Sequence, residues 1–182
     1  SIYNLPRAVH FDDEVMRVFN TIGITKSLTK KLIINKGTKF VNEKGKILLD
    51  WPRPKVITEN GWYPSYRFHQ PDLERSLRYR LKRYEKVLIS QNSEVYKTIN
   101  YKNYSIIRYK NIKTNQIFSV KSKYVIGCDG ANSFLRKQMK SEMEHLGFEQ
   151  RWAVIDLILK TKKANLPDRT IQYCNSKRPA TY

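Results

Sequence analysis

Apolar positions recur at helical spacing in some stretches of this chain and at strand spacing in others. After Asp12, the residues Val15, Val18, Phe19 and Ile22 fall on one helical face. Asp12 has the side chain to cap that helix, and Gly23 is placed to stop it. A second helix opens at His69-Gln70-Pro71-Asp72. Pro71 suits a first turn, Asp72 and Glu74 sit at the positive end of the dipole, and Leu73, Leu77 and Leu81 form an apolar stripe. Between the helices, residues 39–41 and 47–49 flank Glu43-Lys44-Gly45 and predict a β-hairpin, broken by Trp51-Pro52-Arg53-Pro54. Trp62, Tyr63 and Tyr66 follow in an aromatic-rich loop, suited either to lining an aromatic ligand pocket or to packing a core.

Beyond Tyr84, strand-like runs at 87–89, 95–99, 105–109 and 117–120 are separated by Asn92-Ser93, Lys102-Asn103 and Thr114-Asn115, which predicts a β-meander. Val125-Ile126 then reads as a short strand buried on both faces. It stops at Gly127-Cys128-Asp129-Gly130, and Asn132 or Ser133 can cap a helix carrying Phe134, Leu135 and Met139. A strand, a glycine turn and a helix start are where an open α/β sheet binds its ligand. Asp129 would stand at that edge, Gly130 would let a ligand approach the backbone, and Arg136 could reach a phosphate. The same residues also fit an ordinary strand-to-helix turn in which Asp129 only caps. Residues 140–146 continue as helix or loop, while 152–159 and 170–174 read as strands. The fold class is α/β.

Composition narrows the class. With 40% hydrophobic and 28% charged residues over 182 positions, the chain reads as globular and long enough for a real core. No apolar run approaches the roughly 20 residues of a membrane helix, nothing at Ser1 resembles a signal peptide, and Cys128 and Cys174 stand alone, so a cytoplasmic location is expected. The 35 Lys and Arg against 16 Asp and Glu give a net charge of +19, which raises a basic nucleic-acid-binding module as an alternative. The cations, however, are scattered at Lys30-Lys31, Arg78 to Arg83, Lys121-Lys123 and Lys160 to Lys163, as solvated faces are. His10, His69 and His145 form no metal cluster with other ligands and no Ser-His-Asp set, and no residue stands out as a proton-transfer catalyst.

Four ordered stretches carry a resemblance. Asp129-Gly130 with Ala131-Asn132-Ser133 and Arg136 resembles the Asp-Gly motif of the class A flavoprotein aromatic hydroxylases, the FAD-dependent monooxygenases typified by para-hydroxybenzoate hydroxylase. Pro6-Arg7-Ala8-Val9-His10-Phe11-Asp12-Asp13-Glu14 resembles that family's early FAD-contacting segment, and Phe68-His69-Gln70-Pro71-Asp72-Leu73-Glu74 the segment whose glutamine lies near the flavin. Ile171-Gln172-Tyr173-Cys174-Asn175 with Arg178-Pro179 resembles a strand and turn of the substrate domain.

The resemblance implies a partial FAD-binding domain of Rossmann-like, glutathione-reductase type over 1–33 and 67–150. It places strands of an antiparallel substrate-domain sheet at 34–66 and 151–182. It further implies FAD as cofactor, NADH or NADPH as co-substrate, O2 as oxidant, and ortho-hydroxylation of a phenolic aromatic acid such as 3-(3-hydroxyphenyl)propionate, with homo-oligomers compatible. Arg7, Gln70, Asp129, Gly130 and Arg136 are the implied cofactor contacts. The Gly-x-Gly-x-x-Gly turn that cradles a dinucleotide pyrophosphate does not occur in the sequence, so an internal fragment of a longer enzyme is expected.

Overall fold

Asp12 caps as its position predicts. Its Oδ1 accepts from the Val15 N–H at 3.0 Å, and helix α1 (Asp13–Thr21) begins there. The computed structural model describes residues 2–5, 7–161 and 165–182. Pro6 of the first motif and Lys162 and Lys163 of the last cation run lie outside them. The chain forms two units, Ser1–Val87 with Val154–Tyr182, and Leu88–Ala153.

In the first unit, β1 (His10–Asp12) and β2 (Ile33–Ile34) both pair antiparallel with β5 (Ser65–Arg67), so Phe11 stands opposite Tyr66. Phe11 and Tyr66 join Met16 and Phe19 of α1, Ile24, and Leu28 of the short helix α2 (Thr25–Leu28) in the buried core. The face of α1 that packs differs from the expected one. Met16 is fully buried while Val18 is 48% exposed, because the aromatic cluster on β1 and β5 draws in the side chains nearest to it. Helix α3 (Gln70–Leu81) closes the core with Leu73 and Leu77, and Arg80 Nε donates to the Ile22 carbonyl at 2.7 Å just beyond the C-terminus of α1. Tyr66 belongs to this core, with its hydroxyl accepting from the Tyr63 N–H at 2.9 Å.

The predicted hairpin forms as β3 (Gly37–Val41) and β4 (Ile47–Pro52). It extends through Trp51 and Pro52 instead of breaking before them. Pro52 is tolerated because β4 is the edge of its sheet, where the missing N–H costs no ladder bond. That sheet has the order β10-β9-β3-β4, with β9 (Thr170–Tyr173) and β10 (Ala180–Thr181) supplied from the end of the chain. It is mixed and not antiparallel throughout, since β3 and β9 run parallel. Arg67 Nη2 donates to Thr170 Oγ1 at 2.8 Å and links the two sheets of this unit. Asp50 and Arg169 form an ion pair across β4 and the start of β9.

The second unit holds the meander, β6 (Ser93–Asn100), β7 (Ser105–Asn111) and β8 (Ile117–Ser122), in sequential antiparallel order. Asn115 in the β7–β8 turn and Asn92 just before β6 take left-handed backbone, the conformation asparagine tolerates best after glycine. The run at 87–89 is not a strand. Ser133 caps the short helix α4 (Phe134–Gln138), its Oγ accepting from the Arg136 N–H at 3.0 Å.

Two expected strands are corrected. Val125-Ile126 forms no strand, with Ile126 82% exposed, and 152–159 forms none either, its Ile158 being 94% exposed. An apolar run becomes a strand only when a neighbour accepts its ladder bonds. Among the described residues no strand pairs with either run.

Candidate functional site

The five residues singled out as cofactor contacts fall into two local groups, one on each unit. Gln70 is the first residue of α3, and its Oε1 accepts from two backbone N–H groups, Arg7 at 2.7 Å and Ala8 at 3.0 Å. One side chain thereby fixes a segment 63 positions earlier in the chain. Oε1 does this work, which leaves the carboxamide nitrogen as the remaining donor of the side chain. The Arg7 guanidinium carbon sits 4.7 Å from the Tyr3 ring centroid, an exposed cation held over an aromatic face. His69, ahead of Gln70, is exposed and its Nδ1 lies 3.1 Å from Asp72 Oδ2.

On the second unit, Asp129 gathers the turn before α4. Its Oδ1 accepts from the Ser133 hydroxyl at 2.6 Å and its Oδ2 from the Leu135 N–H at 3.1 Å. Arg136 Nη2 donates to the Ala131 carbonyl at 2.7 Å, folding its fork back over the same turn. Gly130 lies between them with φ +79, and a Cβ built there would meet nothing within 4 Å. The turn is therefore bare backbone open to a ligand. Beside it, Thr98, Tyr101, Lys123, Gly127, Ser133 and Arg136 help to line a cleft of about 550 Å³. That size lies in the usual range for small-molecule sites.

The two carboxylates that organise these groups hold their charge strongly. The Ser133 hydroxyl, and then the Leu135 N–H, keep the Asp129 carboxyl below its ordinary 3.8. Arg75, then Lys31 and His69, hold Asp72 well below the usual carboxylate range. A depressed pKa means that the stabilising contact is complete above the unfolded value near 3.8 and fades as the pH falls through the lower, folded value. In a carboxyl-carbon NMR titration, Asp72 and Asp129 should both titrate below 3.8. A midpoint at or above that value for either would contradict the bonds described.

The Ser133–Asp129 bond was not legible in the sequence, which offered Ser133 only as a cap. Nor was the use of the Arg7 and Ala8 backbone by Gln70, since a contact across 63 positions leaves no local periodicity. A further polar group, His10, Ser65 and Asn35, was also missed.

The structure has the α/β architecture of the flavin-dependent monooxygenases. It superposes on the p-nitrophenol 4-monooxygenase PnpA from Pseudomonas putida DLL-E4 with a TM-score of 0.68 at 16% identity, covering 76% of this chain and 35% of that one. The flavin-dependent monooxygenase PieE, solved with FAD and substrate, gives 0.66 at 16% identity over 77% of this chain and 26% of that one. Residues 1–180 match the family described as FAD binding domain, and the chain belongs to that family. The resemblance to flavoprotein aromatic hydroxylases drawn from four short motifs is thus borne out.

Among relatives, the probable NADH-specific resorcinol 4-hydroxylase of Rhodococcus jostii (strain RHA1) is 29% identical over 98% of this chain and 33% of its own length. A 3-(3-hydroxy-phenyl)propionate/3-hydroxycinnamic acid hydroxylase of Burkholderia vietnamiensis (strain G4 / LMG 22486) is 31% identical over 98% of this chain and 32% of its own length. The chain spans about a third of the length of these relatives.

The residues present fit FAD. A positive-φ glycine turn with open space above it, a capped helix start and a cation beside a cleft suit phosphate and ribose oxygens. The carboxamide donor of Gln70, at the start of α3, suits the polar edge of a heteroaromatic ring.

Proposed function

We propose that this chain is part of an FAD-dependent, NAD(P)H-using monooxygenase that hydroxylates a phenolic aromatic acid, such as 3-(3-hydroxyphenyl)propionate, beside its hydroxyl group. The observation that carries this reading is the match of nearly the whole chain to aromatic hydroxylases, one named for a phenylpropionate and one as NADH-specific. FAD, when bound, would supply the redox chemistry: electrons from NAD(P)H, one atom of O2 entering the ring and the other leaving as water.

The chain's own residues would bind and orient. Asp129 holds the turn in shape through Ser133 and Leu135 so that Gly130 presents bare backbone to the cofactor's ribose and phosphates. Arg136 flanks those phosphates, or the docking NAD(P)H. Arg7 contacts the cofactor from a segment that Gln70 pins, and Gln70 sits against the flavin. In this reading, 1–33 and 67–150 belong to the FAD-binding domain, while the β3–β4–β9–β10 sheet lies in the substrate-binding part, 34–66 and 151–182. A cytoplasmic location and self-association belong to the same proposal. Among the described residues, no helix is long and apolar enough to cross a membrane.

The basic-module alternative gains nothing from the relatives. In the Arg78 to Arg83 run, Arg78 pairs with Glu74 at 2.6 Å, Arg80 serves the Ile22 carbonyl, and Arg83 lies over Tyr79.

The test is a flavin titration followed by FAD fluorescence. Asp129→Ala should weaken FAD binding by about tenfold or more, since the turn loses two charge-assisted bonds. Cys128→Ala, an exposed thiol next door, should leave it unchanged. Equal affinity in the two variants would remove Asp129 from the site. In the enzyme carrying this chain, 3-(3-hydroxyphenyl)propionate should stimulate O2-coupled NADH or NADPH oxidation and yield the ring-hydroxylated product. Stimulation without product would sink the hydroxylase assignment.

A further inference from the structure

Within the first unit a second, smaller pocket of about 120 Å³ is lined by the polar Asn35, Lys36, Arg53 and Lys55 together with Ile34, Pro54 and Tyr63. Its volume is close to the roughly 150 Å³ of a cavity that accepts benzene, so it has room for one end of a small aromatic molecule. Three cations gathered at one partly apolar pocket make a local positive field that favours an anion. Lys36 is offset, lying 3.3 Å from Asp168. Among the described residues no carboxylate lies within ion-pair distance of Arg53 or Lys55. The Arg53 guanidinium carbon rests 5.9 Å from the Trp51 ring centroid.

The frame around these cations is fixed in advance. Arg53 N–H donates to the Lys36 carbonyl at 3.0 Å, and Asn35 N–H donates to the Ser65 carbonyl at 3.0 Å. The Asn35 side chain is used at both ends. Its Oδ1 accepts from the Gly37 N–H at 3.2 Å, and its Nδ2 donates to Ser65 Oγ at 2.9 Å. Ser65, 1% exposed, also hydrogen-bonds His10, its Oγ lying 2.5 Å from His10 Nε2. His10 is exposed as a residue, and this contact ties one edge of its ring to the frame. Partial burial of the ring, then the charge of Arg53, then that of Arg67, lower the His10 pKa, while Asp12 pulls the other way. Arg53 is thus felt at the pocket and at the imidazole together.

We propose that this pocket is a carboxylate-recognition subsite for the acid arm of an aromatic acid, with Arg53 and Lys55 pairing the carboxylate and Tyr63, Ile34 and Pro54 lying against the apolar stem. The aromatic class of ligand rests on the hydroxylase reading. The preference for an anion rests on the pocket alone. The subsite favours phenolic acids over uncharged phenols such as resorcinol.

The experiment titrates the chain with 3-phenylpropionate, its uncharged amide and inorganic phosphate, following the His10 ring resonances by NMR. 3-Phenylpropionate should bind saturably and raise the His10 pKa, because its charge offsets that of Arg53. The amide should bind about tenfold more weakly or worse, as expected for the loss of a charge-assisted pair. Arg53→Gln should abolish the preference for the acid, and Lys55→Gln, at the more exposed of the two cations, should reduce it. Equal binding of acid and amide, or undiminished acid binding in the Arg53→Gln/Lys55→Gln double variant, would overturn the proposal. Phosphate binding as strong as that of 3-phenylpropionate would overturn the aromatic-acid assignment. FAD titrated into the same samples separates the two readings. FAD binding without an acid preference sinks the subsite alone. An acid preference that depends on Arg53 in a chain indifferent to FAD supports the subsite and sinks the hydroxylase reading.

Discussion

Replacing Phe11 by alanine is expected to destabilise the first unit by about 3–5 kcal/mol, the range for truncating a buried phenylalanine. Phe11 is 8% exposed, and its ring meets three others. It lies edge-on to Phe19 with centroids 5.3 Å apart, and tilted against Tyr66 at 5.8 Å and Phe68 at 4.9 Å. These rings arrive from β1, α1, β5 and the residue before His69, so one truncation leaves a void that no single element can collapse to fill. Phe11→Leu keeps most of the volume and should cost about 1 kcal/mol. Urea unfolding followed by far-UV circular dichroism checks both. Near-equal midpoints for wild type and Phe11→Ala would mean that the aromatic cluster is not the centre of this unit. The consequence reaches the site, because β1 leads back to the Arg7–Ala8 segment that Gln70 holds and carries His10 beside Ser65.

Elements whose partners lie close in sequence were legible. The Asp12 cap, the hairpin of β3 and β4, the Pro71 helix start and the asparagine turns of the meander each rest on local chemistry that few residues satisfy. The three-stranded β1–β5–β2 sheet was not legible. Its strands are two or three residues long, too short for a period-2 pattern to rise above noise. The same limit hid Ser65, which alternates with the core residue Tyr66 on β5 and so faces Asn35 and His10.

At 125–126 and 152–159 the composition favoured strands, yet a ladder needs a second strand that hydropathy does not supply. The site shows the same division. The bare turn at Asp129-Gly130 could be read from residue types, whereas the grip of Gln70 on a segment 63 positions earlier and the offset of Lys36 by Asp168, 132 positions apart, leave no local pattern.

Gly37→Ala is the other substitution expected to have a large effect, about 2–6 kcal/mol when backbone strain and overpacking are combined. Gly37 has φ +112 and is buried at the start of β3. A Cβ there would overlap the Trp51 carbonyl oxygen and stand only 2.9 Å from both the Arg53 nitrogen and the Pro52 Cα. All three are backbone atoms of β4 or the residue after it, so no flexible side chain can swing aside. Relief requires opening the Gly37↔Pro52 and Thr38↔Trp51 pairs. Gly130→Ala is the useful contrast. Its φ is also positive, but the space is open, so only the left-handed strain of about 1–2 kcal/mol applies.

Amide hydrogen exchange in Gly37→Ala should show lost protection along β3 and β4 while the meander of the other unit stays protected. Because Arg53 follows Pro52 directly, the acid preference of the small pocket should vanish with that protection. A Gly37→Ala chain with wild-type exchange and an intact acid preference would mean that the two strands do not approach as closely as described, and that Arg53 is not held by them.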